Sequence, residues 1–230
     1  MNTKLKIGVF ISARMGSKRL PGKNLMPFDH RPLFAYCIDR LKYNNNYIPL
    51  YLTTTTKKED DVLKTWADDL GIPTFRGSEN NLIERNLNAA YEFDVDFIVR
   101  ATSDCPFIGS ELLFQCLDQI SSINGFDKLS TTKNNYPMGL DLEFFPRALL
   151  EKMSKASDLN DSHREHLTLY AYEKLPETIA RLKPTETLSN LLPFLFTLDT
   201  IEDYQRMQKL ANQVSRFASY DEIFKQITNS

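Results

Sequence analysis

A basic, glycine-bearing segment follows the first apolar run of the chain. It spans residues 13–23, reads ARMGSKRLPGK, and contains Arg14, Arg19 and Lys23 together with two glycines. Arginine binds phosphate oxygens in pairs, lysine adds a mobile point charge, and backbone N–H groups of a glycine-bearing turn can line an anion site. The segment therefore predicts a site for a triphosphate tail or a pyrophosphate leaving group.

This segment does not match the common glycine motifs for nucleotides. Five residues rather than four separate Gly16 from Gly22, Asn24 stands where a P-loop has a hydroxyl, and Pro27 disfavours a helix beginning at Lys23. The GxGxxG pattern is absent as well. A solvated basic loop is the structural alternative, but the position directly after an apolar strand favours a phosphate site.

Two aspartates follow apolar runs that are far apart in the sequence. Asp104 comes after DFIVRATS, and Asp199 ends FLFTLD. Carboxylates at the ends of strands in one parallel sheet can converge at its edge, where with phosphates they would hold Mg²⁺. The alternatives are a turn residue for Asp104 and a helix N-cap for Asp199, although Thr200, with Asp203 three residues later, competes for that cap.

The elements that must position these residues alternate between strands and helices. Apolar runs predict strands at residues 6–13, 49–55, 96–102, 141–145, 179–183 and 194–199, with shorter candidates in PTFRG and KLSTT. Apolar stripes at helical spacing predict helices around residues 33–41, 62–70, 112–123 and 201–210. This order predicts an α/β fold with a mostly parallel sheet between two helical layers. We expect one domain over residues 1–230, with 136–184 as an arm or acceptor-site insertion because the alternation breaks there.

Composition narrows the class of protein. The chain has 230 residues and a formal net charge of -2, which argues against a nucleic-acid partner. Cys37, Cys105 and Cys116 are odd in number and lack CxxC spacing, which favours buried thiols in a reducing compartment. No apolar stretch reaches a membrane span and the N-terminal apolar run is too short for a signal peptide, so we expect a cytoplasmic protein.

Polar residues in the middle of the chain are candidates for binding a second substrate. Asp141 and Glu143 alternate on a predicted strand, and Arg164 and His166 lie near the start of a predicted helix, DSHREHLTLYAYEK. Arg164 or His166 could meet an acceptor carboxylate or phosphate, and His166 could assist deprotonation. The structural alternative is a polar helix face. His163 and His166 do not form HExxH, so we expect no zinc site.

Six blocks occur in order along the chain: ARMGSKRLPGKN, FRGSENNLIER, VRATSDCPFI, GLDLEFF, REHLTLYAY and TLDTIEDY. Together they resemble the cytidylyltransferase family of the spore coat polysaccharide biosynthesis protein SpsF, and more distantly the CMP-Kdo and CMP-N-acylneuraminate synthetases. The resemblance covers nearly the whole chain. It implies a Rossmann-like nucleotidyltransferase fold, CTP as a substrate, Mg²⁺ as a cofactor and a homodimer in which the middle arm reaches the partner.

The resemblance also assigns roles to residues. It implies triphosphate contacts from Ala13, Arg14, Gly16, Ser17, Arg19 and Lys23, and cytidine contacts from Thr53, Thr54, Arg76, Gly77, Arg85 and Ser103. Asp104 and Asp199 would bind Mg²⁺, with Arg14, Lys23 and Asp104 in catalysis. Ser103 departs from the family, whose members commonly have glycine there, and Met138 stands at a place often held by a small or acidic residue.

The expected reaction is attack of an acceptor oxygen on the α-phosphate of CTP, with pyrophosphate leaving. The acceptor would be a sugar acid or a small phosphorylated compound, for surface polysaccharide or glycan biosynthesis. Two other functions remain open from the sequence. A nucleotide-sugar-dependent glycosyltransferase would use a similar sheet, and a catalytically silent subunit would bind CTP without turnover. Selectivity for CTP over UTP or GTP rests on loops whose shape the sequence does not define.

Overall fold

A seven-stranded mixed sheet forms the centre of the protein. The structure is a computed structural model and describes residues 5–229. The strands are β1 (Ile7–Ser12), β2 (Pro27–Phe28), β3 (Arg31–Pro32), β4 (Leu50–Thr55), β5 (Thr74–Gly77), β6 (Phe97–Thr102), β7 (Leu129–Thr131), β8 (Glu143–Pro146) and β9 (Ile179–Arg181). The main sheet has the order β5-β4-β1-β6-β8-β7-β9, and β2 pairs with β3 in a separate hairpin.

Strand direction confirms the predicted fold class. The strands β5, β4, β1 and β6 are parallel, β8 runs antiparallel to both β6 and β7, and β9 is parallel to β7. The parallel half places the ends of β1, β4 and β6 at one edge of the sheet. An α/β sheet of this kind binds ligands at that edge.

Helices cover both faces of the sheet. They are α1 (Leu33–Lys42), α2 (Asp61–Asp69), α3 (Leu82–Glu92), α4 (Ser110–Ser122), α5 (Arg147–Ser154), α6 (Asp161–Glu165), α7 (Leu169–Lys174), α8 (Glu186–Asn190), α9 (Ile201–Ala211) and α10 (Tyr220–Thr228). Helices α1, α2, α4, α9 and α10 pack over one buried apolar cluster, and α3, α5 and α7 pack over the other. Alternate residues of β1 supply both clusters, because Val9 and Ile11 face one and Phe10 faces the other.

The structure corrects two element predictions. Residues 194–199, predicted as a strand, form no strand, because this segment makes isolated contacts instead of a ladder. Phe196 N donates to Met138 O at 2.7 Å and Leu198 N to Asp104 O at 2.8 Å. The single helix predicted in DSHREHLTLYAYEK is two short helices, α6 and α7, because the backbone is extended at His166.

The segment 136–184 is part of the sheet as well as of the helical layer. It contains β8 and β9 as well as helices α5 to α7. All three cysteines are buried free thiols. Within residues 5–229, no helix is long and apolar enough to cross a membrane.

Candidate active site

A cavity of about 450 Å³ opens at the carboxyl ends of β1 and β6. It brings together many of the residues that the sequence nominated from distant segments: Ala13, Arg14, Gly16, Ser17, Arg19, Lys23, Arg85, Ser103, Asp104, His166 and Asp199. Ser12, Lys18, Asn24, Leu82, Arg100, Thr102 and Glu165 complete its wall. The cavity lies where an α/β sheet binds its ligands.

The basic segment after β1 is held in place by two buried side chains that the sequence did not nominate. Asp60 Oδ1 accepts a hydrogen bond from Met15 N at 2.7 Å, and Asn24 Nδ2 donates to Arg14 O at 2.8 Å. Asp60 is fully buried and also accepts from the Thr55 hydroxyl. Gly22 has φ +73, a conformation that glycine adopts without strain. The loop is therefore pre-shaped by the protein.

The ammonium of Lys23 joins the two predicted metal ligands. Lys23 Nζ lies 2.8 Å from Asp104 Oδ2, 3.2 Å from Asp199 Oδ1 and 2.9 Å from Leu198 O. Arg19 Nη2 lies 2.9 Å from Asp199 Oδ1. Burial alone would raise the pKa of Asp104, but the nearby Lys23 charge and its hydrogen bond leave that pKa below its usual value. Asp104 is therefore ionised at neutral pH.

Asp199 is available for this cluster because it does not cap the following helix. Thr200 is the N-cap of α9, where its hydroxyl accepts from Asp203 N and Asp203 Oδ2 accepts from Thr200 N. The capping box anticipated in the sequence satisfies the free N–H groups of the helix. The carboxylate of Asp199 is left to face the cavity.

The two carboxylates fit a hard divalent cation. One oxygen of each carboxylate contacts Lys23 Nζ, so the two side chains converge on one point that holds a positive charge. Carboxylate oxygens are the ligands that Mg²⁺ prefers. Residues 5–229 contain no group of three acidic, histidine or cysteine side chains placed for a metal. A cation on Asp104 and Asp199 would take its other ligands from substrate phosphates and water, as Mg²⁺ commonly does.

Arg85 reaches the cavity wall from α3 and is 2% exposed. Its Nη1 donates to Ser78 O at 3.0 Å, while Nε finds no acceptor among the described residues. Burial, together with the charge of Arg14, lowers the pKa of Arg85 to about 10, so it stays cationic at neutral pH. A Cβ at Gly77 would lie 3.1 Å from Arg85 Cγ, so the missing side chain at Gly77 leaves room for this arginine.

Arg100 on β6 lines the cavity, although it was not among the residues nominated from the sequence. Its Nη1 lies 2.6 Å from Glu143 Oε2 on the neighbouring strand β8. The sequence feature that could have identified Arg100 is a single arginine inside the apolar strand FIVRAT, together with a single glutamate at the start of the strand EFFP. Glu143 itself is 4% exposed and lies behind Arg100, outside the cavity wall.

The remaining nominated residues lie outside this wall and have other contacts. The Thr53 and Ser12 hydroxyls are 3.2 Å apart, Arg76 Nη1 pairs with Asp61 Oδ1 at 2.6 Å, and Thr54 is fully buried. Asp141 Oδ2 accepts from Gly139 N at 3.0 Å, and Arg164 Nη2 donates to Leu159 O at 3.3 Å. His163 is buried against Glu173, so the two histidines of this region have separate surroundings.

The sequence and the fold are similar to those of known proteins. The sequence profile of the cytidylyltransferase family matches residues 9–226. The chain is 31% identical over 204 residues to the spore coat polysaccharide biosynthesis protein SpsF of Bacillus subtilis, covering 87% of this chain and 84% of SpsF. It is 26% identical over 196 residues to 3-deoxy-manno-octulosonate cytidylyltransferase 2 of Hydrogenovibrio crunogenus, covering 74% and 75% of the two chains.

A solved structure is similar over almost the full length. The cytidylyltransferase from Leptospira borgpetersenii serovar Hardjo-bovis superposes with a TM-score of 0.90 at 33% identity. The match covers 98% of this chain and 95% of that protein. The similarity therefore includes the sheet, both helical layers and the segments that form the cavity.

Proposed function

Because the chain belongs to the cytidylyltransferase family of CTP-dependent nucleotidyltransferases, we propose that it transfers CMP from CTP to a sugar acid and releases pyrophosphate. The observation that carries the proposal is the convergence of Lys23, Asp104 and Asp199 at a cavity lined by arginines. Such an arrangement suits positioning and charge neutralisation, which supply most of the catalysis in phosphoryl transfer.

The basic segment would bind the triphosphate. The side chains of Arg14, Arg19 and Lys23 line the cavity and offer donors of matching charge. In the reaction, the acceptor oxygen forms a bond to the α-phosphorus while the bond from that phosphorus to the pyrophosphate oxygen breaks. Arg14 and Lys23 would stabilise the negative charge that develops on the leaving pyrophosphate.

Two further assignments complete the chemistry. Asp104 and Asp199 would hold a magnesium ion, which when bound neutralises phosphate charge. Lys23 would then turn from the carboxylates to the phosphates. His166, which lines the cavity, would accept the proton of the attacking hydroxyl, since histidine is the side chain that most often acts as a general base.

The nucleoside would lie beside Arg85 and Ser103, which line the same cavity. Thr53, Thr54, Arg76 and Gly77 would form the layer behind this wall. In support, the Thr53 hydroxyl lies 3.2 Å from that of Ser12, and the missing side chain at Gly77 leaves room for Arg85. The acceptor would enter on the side of His166. The name of the Hydrogenovibrio relative identifies 3-deoxy-manno-octulosonate as the substrate of that protein, which supports a sugar acid as the acceptor class here.

Organisation of the chain is part of the proposal. We propose a single domain that associates as a homodimer through residues 136–175. Exposed Met138, with 58% of its surface accessible, lies in that region. Sedimentation velocity of wild type and Met138→Glu tests this contact, and a wild-type monomer at micromolar concentration would contradict it.

Pyrophosphate release tests the function. Wild type is incubated with each of the four NTPs, Mg²⁺, and a panel of sugar acids and small phosphorylated acceptors. Asp104→Asn should slow release by about a hundredfold or more, while Asp118→Asn, on the exposed side of α4, serves as the matched control. Release with CTP and one acceptor supports the proposal. CTP binding without release would favour a silent subunit, and hydrolysis of a nucleotide sugar would favour a glycosyltransferase.

A further inference from the structure

Arg100 projects into the cavity away from the phosphate-binding segment. It lies two residues before Thr102 on β6, roughly 7 Å along the strand, and alternation places both side chains on the same face of the sheet. That face carries α3 and the wall formed by Glu165 and His166. Arg100 therefore lines a different part of the cavity from the cluster around Lys23.

A buried network fixes the position of the Arg100 guanidinium. Glu143 Oε2 accepts from Arg100 Nη1, while Oε1 accepts from Thr168 Oγ1 at 2.8 Å and Tyr172 Oη at 2.9 Å. Both oxygens of this buried carboxylate are thus satisfied, which keeps it in one orientation. The hydroxyl of Tyr172 is held in turn by Thr131 Oγ1 at 2.9 Å.

The Arg100 side chain retains donors that the network does not use. It is 26% exposed, and its Nε is buried without a hydrogen-bond acceptor among the described residues. A buried ion pair is a costly way to pack a sheet, because apolar residues often stabilise the same space better. A guanidinium that is held rigid and is partly exposed to the cavity is suited to binding an anion.

The charge of the cavity wall also favours an anion near Arg100. The lining contains six cationic side chains, Arg14, Lys18, Arg19, Lys23, Arg85 and Arg100, and three anionic ones, Asp104, Glu165 and Asp199. The two aspartates pair with Lys23, and Glu165 Oε1 lies 3.6 Å from Arg14 Nη2. Arg85 has no carboxylate partner among the described residues, and the partner of Arg100, Glu143, lies behind the wall and outside the lining.

We propose that Arg100, positioned by Glu143, binds the carboxylate of the sugar-acid acceptor and thereby selects an acid over a neutral sugar. The inference rests on the proposed function, because it assigns a role within that same site. Arg100 is the specificity-determining residue, and Glu143 is a positioning residue that acts through it. Glu143 thus serves the acceptor without touching it.

Binding to the complex with α,β-methylene-CTP tests the proposal independently of turnover. The probes for titration calorimetry are 3-deoxy-manno-octulosonate, N-acetylneuraminate, the carboxamide of each, and glucose 1-phosphate. We expect wild type to bind at least one acid about tenfold more tightly than its carboxamide, because a charge-assisted hydrogen bond is lost.

Two variants separate the role of Arg100 from a merely structural one. Arg100→Gln alone would leave Glu143 buried without its partner, so Arg100→Gln/Glu143→Gln removes both charges together. We expect this double variant to lose the preference for acid over carboxamide while its affinity for α,β-methylene-CTP stays within about twofold. Glu143→Gln should weaken acid binding several-fold and retain part of the preference, because the guanidinium remains but is less well oriented.

Three results would overturn the inference. They are failure of wild type to bind either acid, an unchanged preference in the double variant, and tighter binding of glucose 1-phosphate than of both acids. The proposed function fails differently, by an absence of pyrophosphate release with every acceptor. Acid binding that depends on Arg100 would therefore support the inference even where turnover with the tested acids is not seen.

Discussion

Lys23 Nζ lies 2.8 Å from Asp104 Oδ2, so a cation from the loop after β1 meets a carboxylate from the turn after β6. Asp199 comes from a segment far along the chain and contacts the same ammonium, with its Oδ1 3.2 Å from Lys23 Nζ. The ammonium thus stands at the point on which the two carboxylates converge. We infer that the Lys23 ammonium and a divalent cation bind at this same point in turn, and that binding of the CTP phosphates determines which of the two occupies it.

Substituting the two aspartates should give losses that do not add. Asp104→Asn and Asp199→Asn are each expected to lower kcat by about a hundredfold or more, because either change removes a ligand charge from the same cation. The double variant should be little worse than the poorer single variant, since residues acting as a unit show such non-additivity. Steady-state kinetics at saturating CTP measures this, and multiplicative losses would show that the aspartates act separately.

Replacing Lys23 should strengthen cation binding while abolishing turnover. Lys23→Met leaves Asp104 and Asp199 facing each other without the ammonium, which destabilises the protein by roughly 3 kcal/mol in the absence of a divalent cation. Mn²⁺ titration followed by electron paramagnetic resonance should show tighter binding than in wild type, and the metal should restore part of the lost thermal stability. Lys64→Met, which removes an exposed i,i+4 pair with Asp68, is the control. Equal Mn²⁺ affinity in Lys23→Met and wild type would contradict the shared cation position.

Glu143 should make stability depend on acid pH. Burial alone would raise its pKa, but the Arg100 charge and three hydrogen bonds lower it below the usual value. A carboxyl group whose pKa is lower in the folded state stabilises the fold. This contribution is complete at pH values above the unfolded-state pKa of about 4.3, and it is lost as the pH falls through the folded-state pKa.

We therefore expect Glu143→Gln to cost about 3 kcal/mol at pH 7, and less as the pH falls below about 4. Urea unfolding at several pH values measures the difference between wild type and variant. Exposed Glu92→Gln on α3 should show no such convergence. A gap between wild type and Glu143→Gln that stays constant with pH would mean that the ionised carboxylate is not what stabilises the network.

Gly139 should be essential for placing Asp199. It has φ +90, and a Cβ there would lie 2.3 Å from both Phe196 C and Thr197 N, in the segment that leads to Asp199. Gly139→Ala should therefore cost well above the ~1 kcal/mol typical of point substitutions, and the surviving folded protein should have lower kcat. Gly71→Ala, at φ +65 with nothing within 4 Å of the added Cβ, isolates the conformational cost. Equal losses of stability in the two variants, measured by thermal unfolding, would rule out the steric contact.

The local pattern of apolar residues was sufficient to predict the strands and helices of the parallel half of the fold. The apolar runs around β1, β4 and β6 and the stripes of α1, α2, α4 and α9 indicated their elements to within about three residues, because burial on one face or both dictates their spacing. The segment 194–199 misled the same reasoning. Phe196 and Leu198 are buried, but the backbone there makes single hydrogen bonds to Met138 and Asp104 and passes close to Gly139, and an apolar run does not reveal such long-range contacts.

Some residues of the candidate site could also be predicted from the sequence, and others could not. Residues directly after strands, such as Arg14 and Asp104, were expected at the cavity because an α/β sheet brings strand ends together, and both line it. Asp60 and Arg100 were missed because their roles depend on pairings across the sheet and between loops, with Met15 and Glu143 respectively. Glu143 was nominated as an acceptor contact, yet its position behind Arg100 became visible only from the pairing of β6 with β8.

Isotope label carried by CTP distinguishes the proposed reaction from its alternatives. Wild type is supplied with Mg²⁺, 3-deoxy-manno-octulosonate and a panel of other sugar acids, and with CTP labelled at either the α- or the γ-phosphorus. Attack at the α-phosphorus predicts that the α-label enters a CMP-linked sugar acid and that the γ-label leaves as pyrophosphate. Recovery of the γ-label as inorganic phosphate, with no α-label in any sugar product, would contradict a cytidylyltransferase reaction at this site.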